Sequence, residues 1–225
     1  MSWMKKLTAI MLVVVMTLGM AVAATADSSP SQVPSSANPN YDPTTRIDTE
    51  TAGNGAAVEY EIAQDNGSAT VVKIEATGDG NMAPIGTAHD ENNNEVTDIT
   101  IGDGTNGVLD NKNGQKIITL QIDNGSKKVI IKANALKNSK VTKVIIKGQK
   151  SKFEKNVFKG TKKKTCRIYL KGAKKAKDVS IAKGAFNGLG KNSKVYLSKK
   201  MDKKEYKKLV NKLRKAGFKG KIVRN

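Results

Sequence analysis

The tripeptide Ile168-Tyr169-Leu170 carries the pattern that decides the fold. Two aliphatic residues flank one residue whose side chain would point to the other face of a strand. Alternate side chains of a strand point to opposite faces, so the aliphatic pair of such a run would face a core. Four similar runs are Ile99-Thr100-Ile101, Leu120-Gln121-Ile122, Val144-Ile145-Ile146 and Val195-Tyr196-Leu197. The centres of the five runs, at residues 100, 121, 145, 169 and 196, lie 21 to 27 residues apart. This near-constant interval predicts a repeat with one such strand in each unit.

A second element recurs between the later strands. Its clearest copy is Ile181-Ala182-Lys183-Gly184-Ala185-Phe186-Asn187-Gly188, and looser copies run from Ile131 to Asn138 and from Phe153 to Gly160. One repeat would therefore hold a strand, a loop, a short helical turn and a return. Periods of about 20 to 29 residues with one strand per repeat are typical of leucine-rich repeats. The sequence thus predicts a repeat solenoid that is mainly β, with short helical turns.

The turn resembles the pattern I-x-x-x-A-F-x-G of the BspA-like leucine-rich-repeat surface proteins. The resemblance covers about residues 56 to 225, with a leading hairpin and a basic terminal helix like those that close many members. It implies a curved stack of right-handed, leucine-rich-repeat-like coils on a secreted or cell-surface protein. It also implies adhesion or ligand binding as the usual role, and it implies no catalytic residues.

The first 55 residues have a composition unlike the rest of the chain. Lys5 and Lys6 precede an apolar run from Leu7 to Val22, and Ala24-Thr25-Ala26 fits a cleavage site, so residues 1–26 are predicted to be a signal peptide. The alternative is a membrane anchor, but the run is shorter than the roughly 20 residues that span a bilayer. Residues 27–55 are rich in Ser, Pro and Asn, which predicts a disordered linker.

Residues 56–95 are predicted to form an N-terminal β-hairpin that covers the first repeat. Val58 to Ile62 and Thr70 to Ile74 are strand-like, and Asp65-Asn66-Gly67 between them suits a tight turn. The repeats themselves are assigned to residues 96–200.

Residues 201–225 are predicted to form a capping helix and a last strand. Asp202 and Glu205 form a capping-box pattern, and Gly217 marks the helix end. Because an open solenoid end exposes core and backbone, the helix is expected to cover it. A basic amphipathic helix that lies on an anionic membrane is the alternative interpretation.

Charge divides the mature chain into two unlike halves. Residues 27–125 contain 4 Lys or Arg against 16 Asp or Glu, whereas residues 126–225 contain 34 against 4. Such a basic half should bind anionic polymers with an affinity that falls as salt rises. Expected partners are teichoic acid, sulfated glycan, mucin, extracellular DNA, or a host or cell-surface protein. The acidic half could attract the basic half of another molecule in weak head-to-tail association, or simply keep the protein soluble.

The outward side chains of the basic strands predict a binding surface. If the strands align through Gly148 and Gly172, two basic columns flank an apolar and aromatic column that could receive sugar or base faces. The alternative is an ordinary solvated lysine surface. The predicted ligand-binding residues are Lys143, Ile145, Lys147, Arg167, Tyr169, Lys171, Lys194 and Tyr196.

The sequence offers little for catalysis. His89 is the only histidine, so a histidine-based triad or a multi-histidine zinc site cannot form within one chain. The stretch Asp90 to Glu95 and the loop Asp103 to Gly107 could offer oxygen ligands to calcium, but neither follows the EF-hand pattern, and an Asn/Asp/Gly-rich turn is the better interpretation. Cys166, alone in the chain, is expected to be a buried small hydrophobe.

We therefore expect no enzyme activity, no catalytic residues, no metal and no cofactor. The leading hypothesis is a secreted, non-catalytic binding or adhesion module. A charge-retained component of the cell envelope is the first alternative, and a secreted hydrolase is the less favoured one.

Overall fold

The computed structural model describes residues 45–52, 56–63, 68–86, 88–89, 95–96, 98–123 and 128–225. The described part is mainly β, with parallel strands in open sheets and one α-helix. The predicted signal peptide and the residues 27–44 of the predicted linker lie outside the described residues.

The first sheet has seven strands in the order β1-β2-β3-β7-β9-β11-β13. β1 pairs with β2 and β2 with β3 in antiparallel fashion, and every later pair is parallel. The strands are β1 (Thr45–Ala52), β2 (Ala56–Ala63), β3 (Ser68–Ala76), β7 (Asp98–Ile101), β9 (Lys128–Ile131), β11 (Lys150–Phe153) and β13 (Val179–Ile181).

The second sheet has six strands, all parallel, in the order β15-β14-β12-β10-β8-β4. These are β4 (Met82–Ile85), β8 (Thr119–Ile122), β10 (Lys143–Ile146), β12 (Arg167–Leu170), β14 (Lys194–Leu197) and β15 (Lys221–Arg224). A short antiparallel pair, β5 (Ala88–His89) and β6 (Glu95–Val96), completes the described strands. From β7 to β14 the chain alternates strand by strand between the two large sheets.

The hydrophobic core takes alternate residues from both large sheets. Val144, Ile168 and Val195 are paired neighbours in the second sheet and are at most 1% exposed. Val129 and Ile131 enter the same cluster from the first sheet. This alternation of buried and outward residues is what the tripeptide pattern predicted, and it supplies apolar burial without many aromatic rings.

The turns after β9, β11 and β13 share one backbone design. In each of them two positions adopt a left-handed conformation: Asn134 and Asn138, then Asn156 and Gly160, then Gly184 and Gly188. Asn and Gly tolerate positive φ better than other residues, which explains why they recur there. Gly188 has a second constraint, because a Cβ at this position would collide with the carbonyl oxygen of Phe158 in the preceding turn.

Backbone hydrogen bonds join each of these turns to the next. The amide of Asn134 donates to the carbonyl of Asn156 over 3.3 Å, and the amide of Asn156 donates to the carbonyl of Gly184 over 3.1 Å. The amide of Gly184 in turn donates to Ala216 at the end of the helix over 3.0 Å. The turn polar groups are therefore satisfied by neighbouring segments, as buried backbone groups require.

The helix α1 (Lys203–Lys215) begins and ends where the sequence predicted. The side chain of Asp202 accepts a 2.7 Å hydrogen bond from the amide of Glu205, and Gly217 has φ +93°. The amide of Phe218 donates to Leu213, which completes a Schellman motif. Leu209 and Leu213 are fully buried. Glu205 accepts from the amide of Ala176, so the helix is also tied to the segment before β13.

Two sequence expectations are wrong. Thr45–Ala52 was assigned to the linker, but it forms β1 and pairs with β2 along its whole length. A polar edge strand can form through backbone hydrogen bonds without an apolar pattern. Ile99-Thr100-Ile101 was placed in line with Leu120-Gln121-Ile122, but it belongs to β7 in the first sheet, and β4 is the neighbour of β8. A periodic strand signal does not state which of two sheets receives the strand.

The hairpin prediction is confirmed where it can be compared. β2 pairs antiparallel with β3, with a register shift between Glu59 and Tyr60. The turn residues 64–67 lie outside the described part of the chain.

Phe186 provides a test of the core. Its ring contacts Phe153, Phe158 and Phe218 with centroid separations of 5.8, 6.2 and 5.2 Å, and it is 4% exposed. We expect Phe186→Ala to lower the free energy of unfolding by about 3–5 kcal/mol, because it leaves a cavity among three rings. Urea denaturation followed by circular dichroism measures this loss. The exposed Lys159→Ala should change the same quantity by less than about 0.5 kcal/mol; equal effects of the two substitutions would contradict the packing described.

Candidate functional site

The outer face of the second sheet carries the predicted columns. Strand pairing places Lys143 beside Arg167 and Arg167 beside Lys194, and these residues form the first column. The same pairing aligns Ile145 with Tyr169 and Tyr169 with Tyr196, which form the middle column. The alignment on which the sequence argument depended is therefore confirmed.

A third column continues one residue past the strands. The amides of Lys147 and Lys171 donate to the carbonyls of Ile122 and Ile146, over 3.0 and 2.9 Å, so the register is kept. Both side chains are exposed. Lys147 forms an ion pair with Asp123 of the preceding strand end, whereas Lys171 has no ion pair within the described part of the chain.

The structure adds members that the sequence argument missed. β15 pairs with β14 and adds Lys221 to the first column and Val223 to the middle column. Thr119 and Gln121 of β8 continue the same columns on the other side. The alternating stretch Lys221-Ile222-Val223 matches Lys143-Val144-Ile145 and Lys194-Val195-Tyr196, so the signal was present in the sequence. This segment follows the helix and was predicted only to cover the far end of the repeats.

The middle column is organised by two stacked tyrosines. The rings of Tyr169 and Tyr196 are 4.4 Å apart between centroids and tilted by 4°. The Nζ atom of Lys143 lies 5.8 Å from the centre of the Tyr169 ring. Tyr196 therefore covers one face of the Tyr169 ring, so a sugar or base cannot rest on that face. Ile145, on the far side of Tyr169, is only 7% exposed and adds little contact area.

The phenol of Tyr169 stays protonated at neutral pH. Partial burial raises its pKa, the neighbouring Tyr196 raises it further, and the nearby Arg167 acts in the opposite direction. The net shift is upward from the ordinary value near 10. The Tyr169 hydroxyl is thus a neutral hydrogen-bonding group on a basic surface.

The cations of the first column lack the ion pairs seen on the first sheet. There, Lys128 pairs with Asp98 over 3.3 Å, and Lys132 and Lys152 both pair with Glu154. Among the described residues, no ion pair involves Lys143, Arg167, Lys194 or Lys221. The first column is consequently a row of uncompensated positive charge.

The residues around Glu154 set the pKa of its carboxyl group. Partial burial would raise the pKa of its carboxyl group, but hydrogen bonds from Lys152 and the Ala133 amide, together with the charge of Lys132, outweigh it and lower the pKa. Glu154 therefore offsets part of the positive charge of Lys132 and Lys152, in contrast to the first column.

Two depressions open near these basic residues. A cleft of about 240 Å³ lies beside the tyrosines and is lined by Lys171, Lys199 and Lys200 as well as by Tyr169 and Tyr196. A second depression, of about 450 Å³, lies along α1 between Lys183, Lys208 and Lys215. Its lining also includes Lys212, whose Nζ atom already donates to the carbonyls of Ala176 and Val179. Only the first depression adjoins the aligned columns.

The Asp103 loop is a turn, as expected. The Asp103 carboxylate accepts hydrogen bonds from the amides of Thr105 and Asn106, over 2.6 and 2.8 Å. Burial would raise the pKa of this carboxyl group, but these hydrogen bonds outweigh burial and lower it. Residues 90–94 lie outside the described part, and so do the side chains of His89 and Glu95. Within the described residues, no group of three His, Cys, Asp or Glu side chains is placed to hold a metal ion.

Cys166 is buried, as the sequence predicted. It is 0% exposed, its amide donates to the hydroxyl of Ser193 over 3.1 Å, and burial raises the pKa of its thiol to about 12. A thiolate is the reactive form of cysteine, so this side chain is chemically silent in the folded protein.

Comparison of the chain with protein-family models, with curated proteins and with solved structures found no match. Within the described residues, no helix has the length and apolar character needed to cross a bilayer.

The reactivity of the Cys166 thiol tests whether this side chain is buried as described. We expect Cys166 to react with an aromatic disulfide reagent at about pH 8 more than a thousandfold slower in the native protein than in the unfolded chain, because folding raises its pKa and excludes the reagent. Absorbance of the released thiolate measures the rate with and without denaturant, and Cys166→Ser supplies the blank. Rapid reaction of the native protein would contradict the burial of Cys166 immediately before β12.

Proposed function

We propose that the protein is a secreted or surface-associated, non-catalytic binding module whose second sheet binds an anionic polymer. The observation that carries this proposal is the column Lys143, Arg167, Lys194 and Lys221, which presents unpaired cations on four adjacent strands. Like charges so close together raise the electrostatic free energy of the free protein, and a polyanion lowers it by replacing dissolved counterions.

The proposed architecture is a repeat solenoid of the BspA-like leucine-rich-repeat kind. The alternation of strands between two sheets and the repeated turns with left-handed positions support it. In this interpretation residues 56–95 cover the first repeat, 96–200 form the coils, and 201–225 close the far end. Buried Leu209 and Leu213 on α1 favour the closing role over membrane binding, since a membrane-bound helix would present these residues to lipid.

The partner class follows from charge and from proposed location. Teichoic acid, sulfated glycan, mucin and extracellular DNA all carry dense negative charge outside the cytoplasm. A host or cell-surface protein with an acidic patch offers the same chemistry. A structural envelope component held by charge alone is the competing function, and it requires no particular surface of the protein.

Charge reversal on the proposed surface separates these functions. We expect the combined substitutions Lys143→Glu, Arg167→Glu, Lys171→Glu and Lys194→Glu to weaken binding to teichoic acid and heparin at least about tenfold. The slope of log affinity against log salt should also fall, by about 0.7 to 0.9 for each lost contact. Binding of the mature protein across a salt series, with a neutral glycan as the blank, measures both quantities.

The matched control places the same four reversals on the terminal segment. Lys203, Lys204, Lys207 and Lys219 are exposed and lie outside the columns, so reversing them changes the net charge equally. An equal loss of affinity in the two variants would refute the proposed surface and favour the envelope function. Turnover of any of the polymers would instead favour the hydrolase.

Secretion makes a separate prediction. When the full chain is expressed in a bacterium with a general secretion pathway, we expect the exported protein to begin at Asp27, because Ala24-Thr25-Ala26 precedes it. N-terminal sequencing and intact mass identify the new end. Ala24→Arg together with Ala26→Arg should retain the precursor, whereas the same pair at Ser35 and Ser36 should not. An unprocessed cytoplasmic product from the native sequence would contradict the assignment.

A further inference from the structure

The far end of the second sheet carries a strand edge with free backbone groups. β15 is the outermost strand there, and it pairs with β14 on one side only. The amide of Lys221 donates toward β14, to the carbonyl of Ser193 over 2.9 Å. Alternate residues of a parallel strand bond to the same neighbour, so the backbone groups of Ile222 and Arg224 point away from β14. Within the described residues, these backbone groups have no hydrogen-bond partner.

Two other outermost strands are protected. β4 lies at the opposite edge of the second sheet and contains Pro84, which has no amide hydrogen to donate. The carbonyl of Ile85 accepts from the amide of Asp123 past the end of β8, so Pro84 faces the open side. β13, the last strand of the first sheet, is covered by α1, where the Nζ atom of Lys212 donates to the carbonyl of Val179 over 2.7 Å. β15 has neither protection in the part of the chain that the structure describes.

Ile222 shows that the apolar core is left incomplete at this edge. Strand pairing places it beside Val195, in the inward row that also contains Val144 and Ile168. Those three side chains are at most 1% exposed, whereas Ile222 is only partly buried. Each of the three has a strand on both sides, and Ile222 has a strand on one side only. An apolar residue on an added strand would cover Ile222 and remove apolar surface from water.

The charge around this edge favours an acidic partner. Residues 201–225 contain 10 Lys or Arg against only Asp202 and Glu205, and both acids already accept hydrogen bonds from backbone amides. Lys221, on the outward face of β15, is exposed and forms no ion pair among the described residues. The Arg224 guanidinium group already donates to two loop carbonyls. A matching strand therefore carries acidic side chains on its outward face, beside Lys221, and apolar side chains on its inward face.

We propose that β15 accepts an extended acidic segment of a partner protein as a further strand of the second sheet. The backbone of this segment bonds to the outward groups of Ile222 and Arg224, as in other cases of strand addition. Its apolar side chains cover Ile222, and its carboxylates lie beside Lys221. The polyanion binding proposed for the columns is a separate activity, because teichoic acid and DNA have no peptide backbone to pair with a strand.

The chain's own residues 27–44 are poorly suited to this edge. They contain Pro30, Pro34, Pro39 and Pro43, so at most four consecutive residues could supply backbone amides to a strand. A second copy of the protein is the other possible occupant. In that case the protein would associate with itself as its concentration rises.

Alternating peptides test the proposal. The probe is an acetylated and amidated heptapeptide in which glutamate and valine alternate, titrated calorimetrically into the mature protein. Two further probes carry N-methyl groups, one on every glutamate amide and the other on every valine amide, so the charge is unchanged. Because alternate residues of a strand bond to opposite neighbours, we expect one methylated probe to bind at least about tenfold more weakly than the parent and the other to bind about equally.

Hydrogen exchange and two variants locate the added strand. In the free protein the Ile222 amide should exchange faster than the Lys221 amide, and saturating peptide should slow its exchange at least about tenfold. Ile222→Pro removes this outward amide and should weaken peptide binding at least about tenfold, whereas Ile222→Val keeps the amide and should weaken binding less than about threefold. Circular dichroism checks that both variants are folded.

The outcomes separate strand addition from its alternatives. If both methylated probes bind as tightly as the parent, charge alone holds the peptide; the strand addition is then wrong, and the polyanion-binding surface of the columns stands. Self-association of the protein that Ile222→Pro abolishes would make a second copy the occupant and overturn the separate partner. An Ile222 amide that is already as protected as that of Lys221 in the free protein would show that the edge is covered, and would also overturn the proposal.

Discussion

Parallel pairing in register is the constraint on which both the core and the surface of this protein depend. Each strand of the second sheet aligns with its neighbour so that equivalent residues stand side by side. The same register that puts Val144, Ile168 and Val195 into one buried row puts Lys143, Arg167 and Lys194 into one outward row. Backbone hydrogen bonds and apolar burial hold this register, because a slip of one residue would exchange the two faces.

Such a register carries an electrostatic cost on the outer face. Two unit charges about 4.8 Å apart repel by about 0.9 kcal/mol in bulk water, and salt screens part of this repulsion. On the first sheet the cost is offset locally, since Asp98 and Glu154 lie next to the lysines there. The first column of the second sheet has no such carboxylates among the described residues. The contrast between two faces of one protein, rather than the total charge, distinguishes a candidate binding surface from a generally basic exterior.

Much of the local structure could be predicted from sequence because it depends on short patterns. The tripeptides at 144–146, 168–170 and 195–197 gave strands with the right buried residues, and Asp202, Glu205 and Gly217 gave the ends of α1. Which of the two sheets each strand joins was harder to predict from the sequence. Ile99-Thr100-Ile101 has the same pattern as its successors, yet β7 pairs with β3 and β9, because sheet membership depends on the path of the whole chain.

The candidate site was predictable in position but not in chemistry. The column alignment followed from residue spacing, whereas the mutual stacking of Tyr169 and Tyr196 follows from side-chain packing that a one-dimensional pattern does not encode. β1 and the pairing of β4 were missed because edge strands depend on backbone bonds more than on apolar residues. Lys221 was not predicted to join the first column, although its strand repeats the pattern, because the segment after the helix was predicted only as a cover.

The acidic and basic halves of the chain contact each other in the folded protein. Asp98, Asp110 and Asp123 belong to the acidic half, and each contacts a residue of the basic half: Lys128, Asn138 and Lys147 respectively. These contacts occupy carboxylates that could otherwise attract the basic half of a second molecule in head-to-tail association.

The basic half of the chain has few carboxylates of its own, with only Glu154, Asp178, Asp202 and Glu205 after residue 126. Asp178 and Asp202 hold local turns, and Glu154 and Glu205 are held by lysines and by backbone amides. Among the described residues, the positive charge of β12, β14 and β15 is therefore not offset by these four carboxylates, because each of them already has a structural role.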